Sequence, residues 1–153
     1  MKDHTHLKNK LLKACITYVD KRMLTITTMM ASAKKDLESE TKSSAGDKHE
    51  TGRAMLQLEM EKASQQFDTV KAMNEVLRKI KIDGKNDIAR LGSLIYTSHG
   101  NYFLAISAGQ VFIESDAFFV VSVSSPIGQL LLGKRKGNVF DFNGKSITVL
   151  EIF

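Results

Sequence analysis

The sequence predicts an α+β protein: an N-terminal antiparallel α-helical coiled-coil hairpin, then a small antiparallel β domain with one short helix. Three observations carry that reading. Two stretches in the first half repeat apolar residues at alternating spacings of four and three. The period changes to short alternating runs after the stretch "IKIDGKNDIAR". Near the C-terminus, Asn143-Gly144 sits between two such runs, which is a strong two-residue hairpin signal.

The first helical seam reads Leu12, Ile16, Val19, Met23, Ile26, Met30, Ala33 and Leu37, the heptad pattern of a coiled coil. Between Met1 and Ala45 there is neither proline nor glycine to interrupt it. A second seam follows with Leu56, Met60, Ala63, Phe67, Val70, Asn74 and Leu77. Its polar member, Asn74, can fix register at some cost in stability. Two helices of roughly 30–35 residues, folded back on each other, make an arm about 45–50 Å long. The expected division is therefore an arm over 1–81 with its tip at 43–53, a linker over 82–89, and a domain over 90–153.

Within the last segment, "LGSLIYTS", "NYFLAIS", "VFIE", "AFFVVSVS" and the closing "NVFDFNGKSITVLEIF" read as strands. The stretch "SSPIGQLLLGKRKG" reads as a helix, with Ser125 able to cap it, Pro126 at its first position and Gly133 able to end it.

Charge is distributed unevenly. Up to Arg90 there are 18 Lys and Arg against 13 Asp and Glu, an excess of +5, and from Leu91 onward 4 against 4. A basic arm on a neutral body suits an anionic partner or acidic groove, and it equally suits a solvated lysine-rich helix surface. The single cysteine, Cys15, excludes an intrachain disulfide and a cysteine-based metal cluster, and reads as a partly buried thiol beside the seam. No apolar run approaches the ~20 residues of a membrane span. "MKDHTHLKNK" lacks the apolar core of a signal peptide, so the cytoplasm is the expected location.

The tip, "SSAGDKHETGR", holds two acids three positions apart, Asp47 and Glu50. One explanation is a capping box, in which Asp47 accepts from the Glu50 amide while Glu50 reaches back. Another is a pair of carboxylates on one helix face, available to a hard cation.

The stretch "SVSSPIGQLLLGKRKGNVFDF" resembles the C-terminal domain of the bacterial transcript cleavage factors GreA and GreB. The matching residues are Ser125, Pro126, Ile127, Gly128, Leu131, Leu132, Gly133, Lys134 and Gly137, with Asn138 where the family usually has Asp. With Leu91 to Ser93 and the final "TVLEIF", the resemblance covers roughly residues 90–153. It implies an FKBP-like fold for this domain and a polymerase-docking role for Ser125, Pro126, Gly128 and Lys134.

That family also carries an N-terminal antiparallel coiled coil whose tip reads Gly-Asp, two variable residues, Glu; here these are Gly46, Asp47, Lys48, His49 and Glu50. The resemblance implies that the arm enters the secondary channel of RNA polymerase. There Asp47 and Glu50 would help hold a Mg²⁺ shared with the polymerase active site and stimulate cleavage of backtracked RNA. The chain would need no cofactor of its own and would not itself be an enzyme. Lys42, Lys48 and Arg53 are the candidate contacts to the RNA 3′ end, and neither DNA nor a membrane is an expected partner. Beyond Glu50, where the family continues Asn-Ala-Glu-Tyr, this chain has Thr51, Gly52, Arg53 and Ala54. Some relatives of Gre factors occupy the channel and inhibit, so a regulator without cleavage activity is the alternative. An FKBP-like peptidyl-prolyl isomerase, suggested by fold alone, is the reading from a different class.

Overall fold

A computed structural model of the chain describes residues 4–42, 46–84 and 86–153, with backbone alone at 40–42 and 46–50. Two long helices come first, α1 (His4–Lys42) and α2 (Gly46–Lys79). Then come β1 (Leu94–Thr97), β2 (Gly100–Ala105), β3 (Gly109–Ile113), β4 (Asp116–Ser122), α3 (Pro126–Leu131), β5 (Val139–Phe142) and β6 (Lys145–Ile152). The chain is α+β, with a long N-terminal helical region followed by a six-stranded sheet.

Two compact units form, one of residues 19–74 and one of residues 1–18 with 75–153. The expected arm, linker and domain boundaries do not coincide with this division, because the first turns of α1 pack with the sheet. His4 stacks on Phe153 with centroids 3.5 Å apart and meets Tyr96 edge-on at 6.2 Å. Lys10 lies 3.4 Å from Glu114. Of the expected linker, Ala89 is buried and exchanges hydrogen bonds with the loop after α3: its amide donates to the Lys134 carbonyl and its carbonyl accepts from Gly133, both at 2.8 Å.

In the 19–74 unit, residues late in α1 meet residues early in α2. The Arg22 guanidinium reaches the Met73 sulfur at 3.8 Å, and one groove is lined by Met29, Ala33 and Asp36 from α1 with Glu59, Ala63 and Gln66 from α2. The α2 seam holds throughout: Ala63, Val70 and Leu77 are buried, and Leu56, Met60, Phe67 and Asn74 are half-buried.

The α1 seam holds from Val19 onward, with Val19, Ile26 and Ala33 buried, but it is displaced by one residue before that point. Leu11 and Cys15 are fully buried, whereas Leu12 is half-buried and Ile16 is 43% exposed. Counting back from Val19 in steps of four lands on Cys15 and Leu11. The adjacent pair Leu11-Leu12 made either register possible in the sequence. Cys15 is therefore on the seam and not beside it.

The sheet order is β3-β4-β2-β1-β6-β5. Every neighbouring pair is antiparallel except β2 and β4, which are parallel, so the expected antiparallel domain needs that one correction. The β3–β4 hairpin brings β4 back beside β2, and only a parallel pairing fits its direction. On one face Ile95, Tyr102, Leu104, Phe140, Ile147 and Val149 form a core with Ile127 and Leu131 of α3. The alternate residues Leu94, Phe103, Phe118 and Val120 point to the other face and are just as buried. At Asn143-Gly144, both residues take positive φ (52° and 77°), which is the type I′ turn that dipeptide favours.

Candidate functional site

Each half of the expected site has its own local architecture. In the helical half, α2 begins at Gly46, so Asp47 and Glu50 both fall in its opening turns. Residues three apart on a helix are neighbours on one face. A capping box would need the helix to start after Asp47; it starts before it, so Asp47 is not placed as the cap. The side chains of Lys42, Asp47, Lys48, His49 and Glu50 lie outside the described residues, as do residues 43–45 of the expected turn. Arg53 is exposed on α2. Among the described residues no cluster of His, Cys, Asp and Glu is arranged to hold a metal ion. As a donor set, the two tip carboxylates suit Mg²⁺, which takes one or two carboxylates and completes its shell from waters and substrate oxygens. Two carboxylates alone are too few for a resident ion, so any such site needs ligands from a partner.

In the sheet half, the Ser-Pro-x-Gly motif has structural work to do. Ser125 caps α3: its hydroxyl accepts from the Gly128 amide at 3.1 Å and donates to the Ser122 carbonyl at 2.6 Å. Pro126 opens the helix, where a missing N–H costs nothing. Gly128 is buried so tightly that an added Cβ would lie 1.9 Å from the Ser122 carbonyl oxygen. The helix then stops at Gly133, whose φ of +82° favours glycine. Lys134 holds its ammonium 5.9 Å from the centre of the Phe140 ring, within cation–π range. Asn138 does with an amide oxygen what a carboxylate can do there, accepting from the Arg135 amide at 2.9 Å and closing the loop. Ser125 and Gly128 thus shape the junction, while Pro126 is exposed and Lys134 half-exposed.

Two features escaped the sequence reading. Lys8 is only 2% exposed, and its amine has no hydrogen-bond partner among the described residues. Burial and then the neighbouring Arg90 charge hold its pKa below the ordinary lysine value, with Asp83 opposing weakly. The second is a pair of exposed aromatics, Phe112 and Phe119, on β3 and β4. Alternation could have found Phe112, since "QVFIE" leaves one of its apolar residues facing away from its neighbours; nothing in the sequence distinguishes Lys8 from the solvated lysines around it.

No family model matches the chain, and no curated protein matches it either. Among solved structures, it is similar to one titled "Structure of the transcription factor Gfh1", at 20% identity and a TM-score of 0.35, covering 88% of this chain and 90% of that one. No helix among the described residues is long and apolar enough to cross a membrane.

Proposed function

We propose that this protein is a transcription accessory factor that acts on RNA polymerase, with its paired helices serving as a coiled-coil hairpin arm and its tip entering the secondary channel. The observation that carries the reading is the start of α2 at Gly46, which puts Asp47 and Glu50 in the opening turns of a helix. The motif resemblance around Ser125 to Gly137 supports it from the other half of the chain.

In this reading Asp47 and Glu50 offer carboxylate oxygens to a Mg²⁺ at the polymerase active site, and such an ion stabilises the charge that develops on the attacked phosphate. Lys42, Lys48 and Arg53 attract the phosphates of the RNA 3′ end. Pro126 and Lys134 present surface to the polymerase, while Ser125 and Gly128 hold that surface in shape. The sheet domain would belong to the FKBP-like class.

A second reading, a channel-binding regulator that does not promote cleavage, is favoured by Arg53, which puts a cation where the Gre pattern has Glu. One experiment separates them. Added to a backtracked elongation complex, the wild-type protein should release short 3′ RNA fragments; Asp47→Asn and Glu50→Gln should abolish that release yet still compete for the channel. Slowed elongation without fragments would select the regulator. Undiminished cleavage by both variants would remove the tip acids from the chemistry.

A further inference from the structure

The sheet ends on one side at β3, and among the described residues no strand pairs with its outer edge. Free edges are normally blunted by lysine, proline or a bulge, because their unpaired amides and carbonyls are a template for another strand. Strand β3, "GQVFI", has none of these. It pairs with β4 in unbroken register from Gly109 to Ile113.

Beside that edge lies an aromatic shelf. Phe112 is 66% exposed and Phe119 38%. The pairings Phe112 with Ala117 and Gln110 with Phe119 put both rings on one face, since directly opposite residues share a face. The Phe119 ring lies over Gly100, where an added Cβ would be 3.2 Å from it, and packs 5.6 Å from Tyr102. This shelf is large, rigid and uncovered.

The local charge selects what can dock. From Leu91 to Gly133 the only charged side chains are Glu114 and Asp116, which flank the β3–β4 turn. In a chain of net charge +5, this corner is acidic.

We infer that the β3 edge is a docking site for an extended segment of another protein, which adds a strand to the sheet. Its alternate apolar side chains rest on Phe112 and Phe119, and a Lys or Arg at its end meets Glu114 and Asp116. Main-chain hydrogen bonds supply the affinity in this mode, and side-chain pockets with end charges supply the choice of partner. A second copy of this chain fits less well: its own β3 carries no cation to offer the acidic turn.

The test uses the full-length protein, isotopically labelled, and two blocked hexapeptides, Lys-Thr-Val-Thr-Val-Lys and its counterpart with Glu at both ends. The cationic peptide should slow amide exchange at residues 109–113 and shift the Phe112 and Phe119 ring signals; the acidic one should bind at least about tenfold more weakly. Gln110→Lys and Phe112→Ser, both at exposed positions that leave the fold intact, should each weaken the cationic peptide by a similar factor. Equal binding of the two peptides, no binding of either at millimolar concentration, or protection outside β3 would overturn the proposal. Self-association through β3 without peptide would assign the edge to a second copy, and would overturn it too.

Discussion

In the unit of residues 19–74, the side chains shut off from water are Val19, Ile26, Ala33, Ala63 and Val70, a single row of mostly small residues. In the other unit, Leu94, Phe103, Phe118 and Val120 are buried on one sheet face, with Ile95, Leu104 and Leu131 in the core of the other. A fully buried Phe or Leu contributes ~1.5–3 kcal/mol, and an alanine far less. Thickness of core therefore separates a unit that can absorb a local insult from one whose stability comes in small increments along its length. The proposed tip chemistry sits on the thin unit, where an acid can change without disturbing any large packed side chain.

The largest effect that probes this contrast is Phe103→Ala, which should cost ~3–5 kcal/mol. Amide exchange should accelerate through residues 94–152 while amides at 22–70 keep their protection; a uniform loss would show one cooperative body and erase the comparison. Next, Gly128→Ala forces a methyl against the Ser122 carbonyl. Overpacking of that kind costs ~1–3 kcal/mol, read as a drop in the urea midpoint with the slope unchanged. On the thin unit, Ile26→Val should cost only ~0.5–1.5 kcal/mol, detectable as faster exchange confined to the helices.

A pH titration sharpens the picture from the base of α1. Lys8 has a folded pKa below its unfolded one, so the unfolded chain binds more protons in the interval between them. Its burial penalty is fully present below the folded pKa and is relieved as pH rises through it, so stability should climb with pH in the alkaline range below the ordinary lysine pKa. Lys8→Met should remove that slope and raise stability at neutral pH. The smallest effect belongs to Asp47→Asn, which gives up an acid in the opening turn of α2 for ~0.3–1 kcal/mol, far less than a loss of RNA cleavage would imply if the carboxylate works as proposed.

Much of this architecture was legible because local signals and global packing agree. The α2 seam was read residue by residue, since each of its apolar positions has one choice of register. The cap at Ser125, the stop at Gly133 and the turn at Asn143-Gly144 were legible because each answers a backbone requirement that few residues meet. The register before Val19 was not, because Leu11 and Leu12 satisfy the same pattern and only tertiary packing picks between them. The parallel pairing of β2 with β4 was hidden for a similar reason: strand direction is set by where a hairpin returns, which alternation does not encode. Of the candidate site, spacing located the tip acids, whereas the docking residues turned out to include two, Ser125 and Gly128, whose identities the fold itself demands.

Cys15 makes the base of α1 self-reporting. Its thiol is fully buried, and burial pushes its pKa up to about 12 from an ordinary 9.0, so in the folded protein it is both shielded and protonated. Only the thiolate attacks an alkylating reagent, so labelling can proceed only through molecules whose α1 has come away from its packing. The chain's one sulfhydryl is then a clock for that opening, running without dye or engineered label. Its rate, divided by that of the denatured chain, gives the fraction of time the base stands open, and comparing it with and without polymerase would say whether engagement clamps the helix or pries it loose.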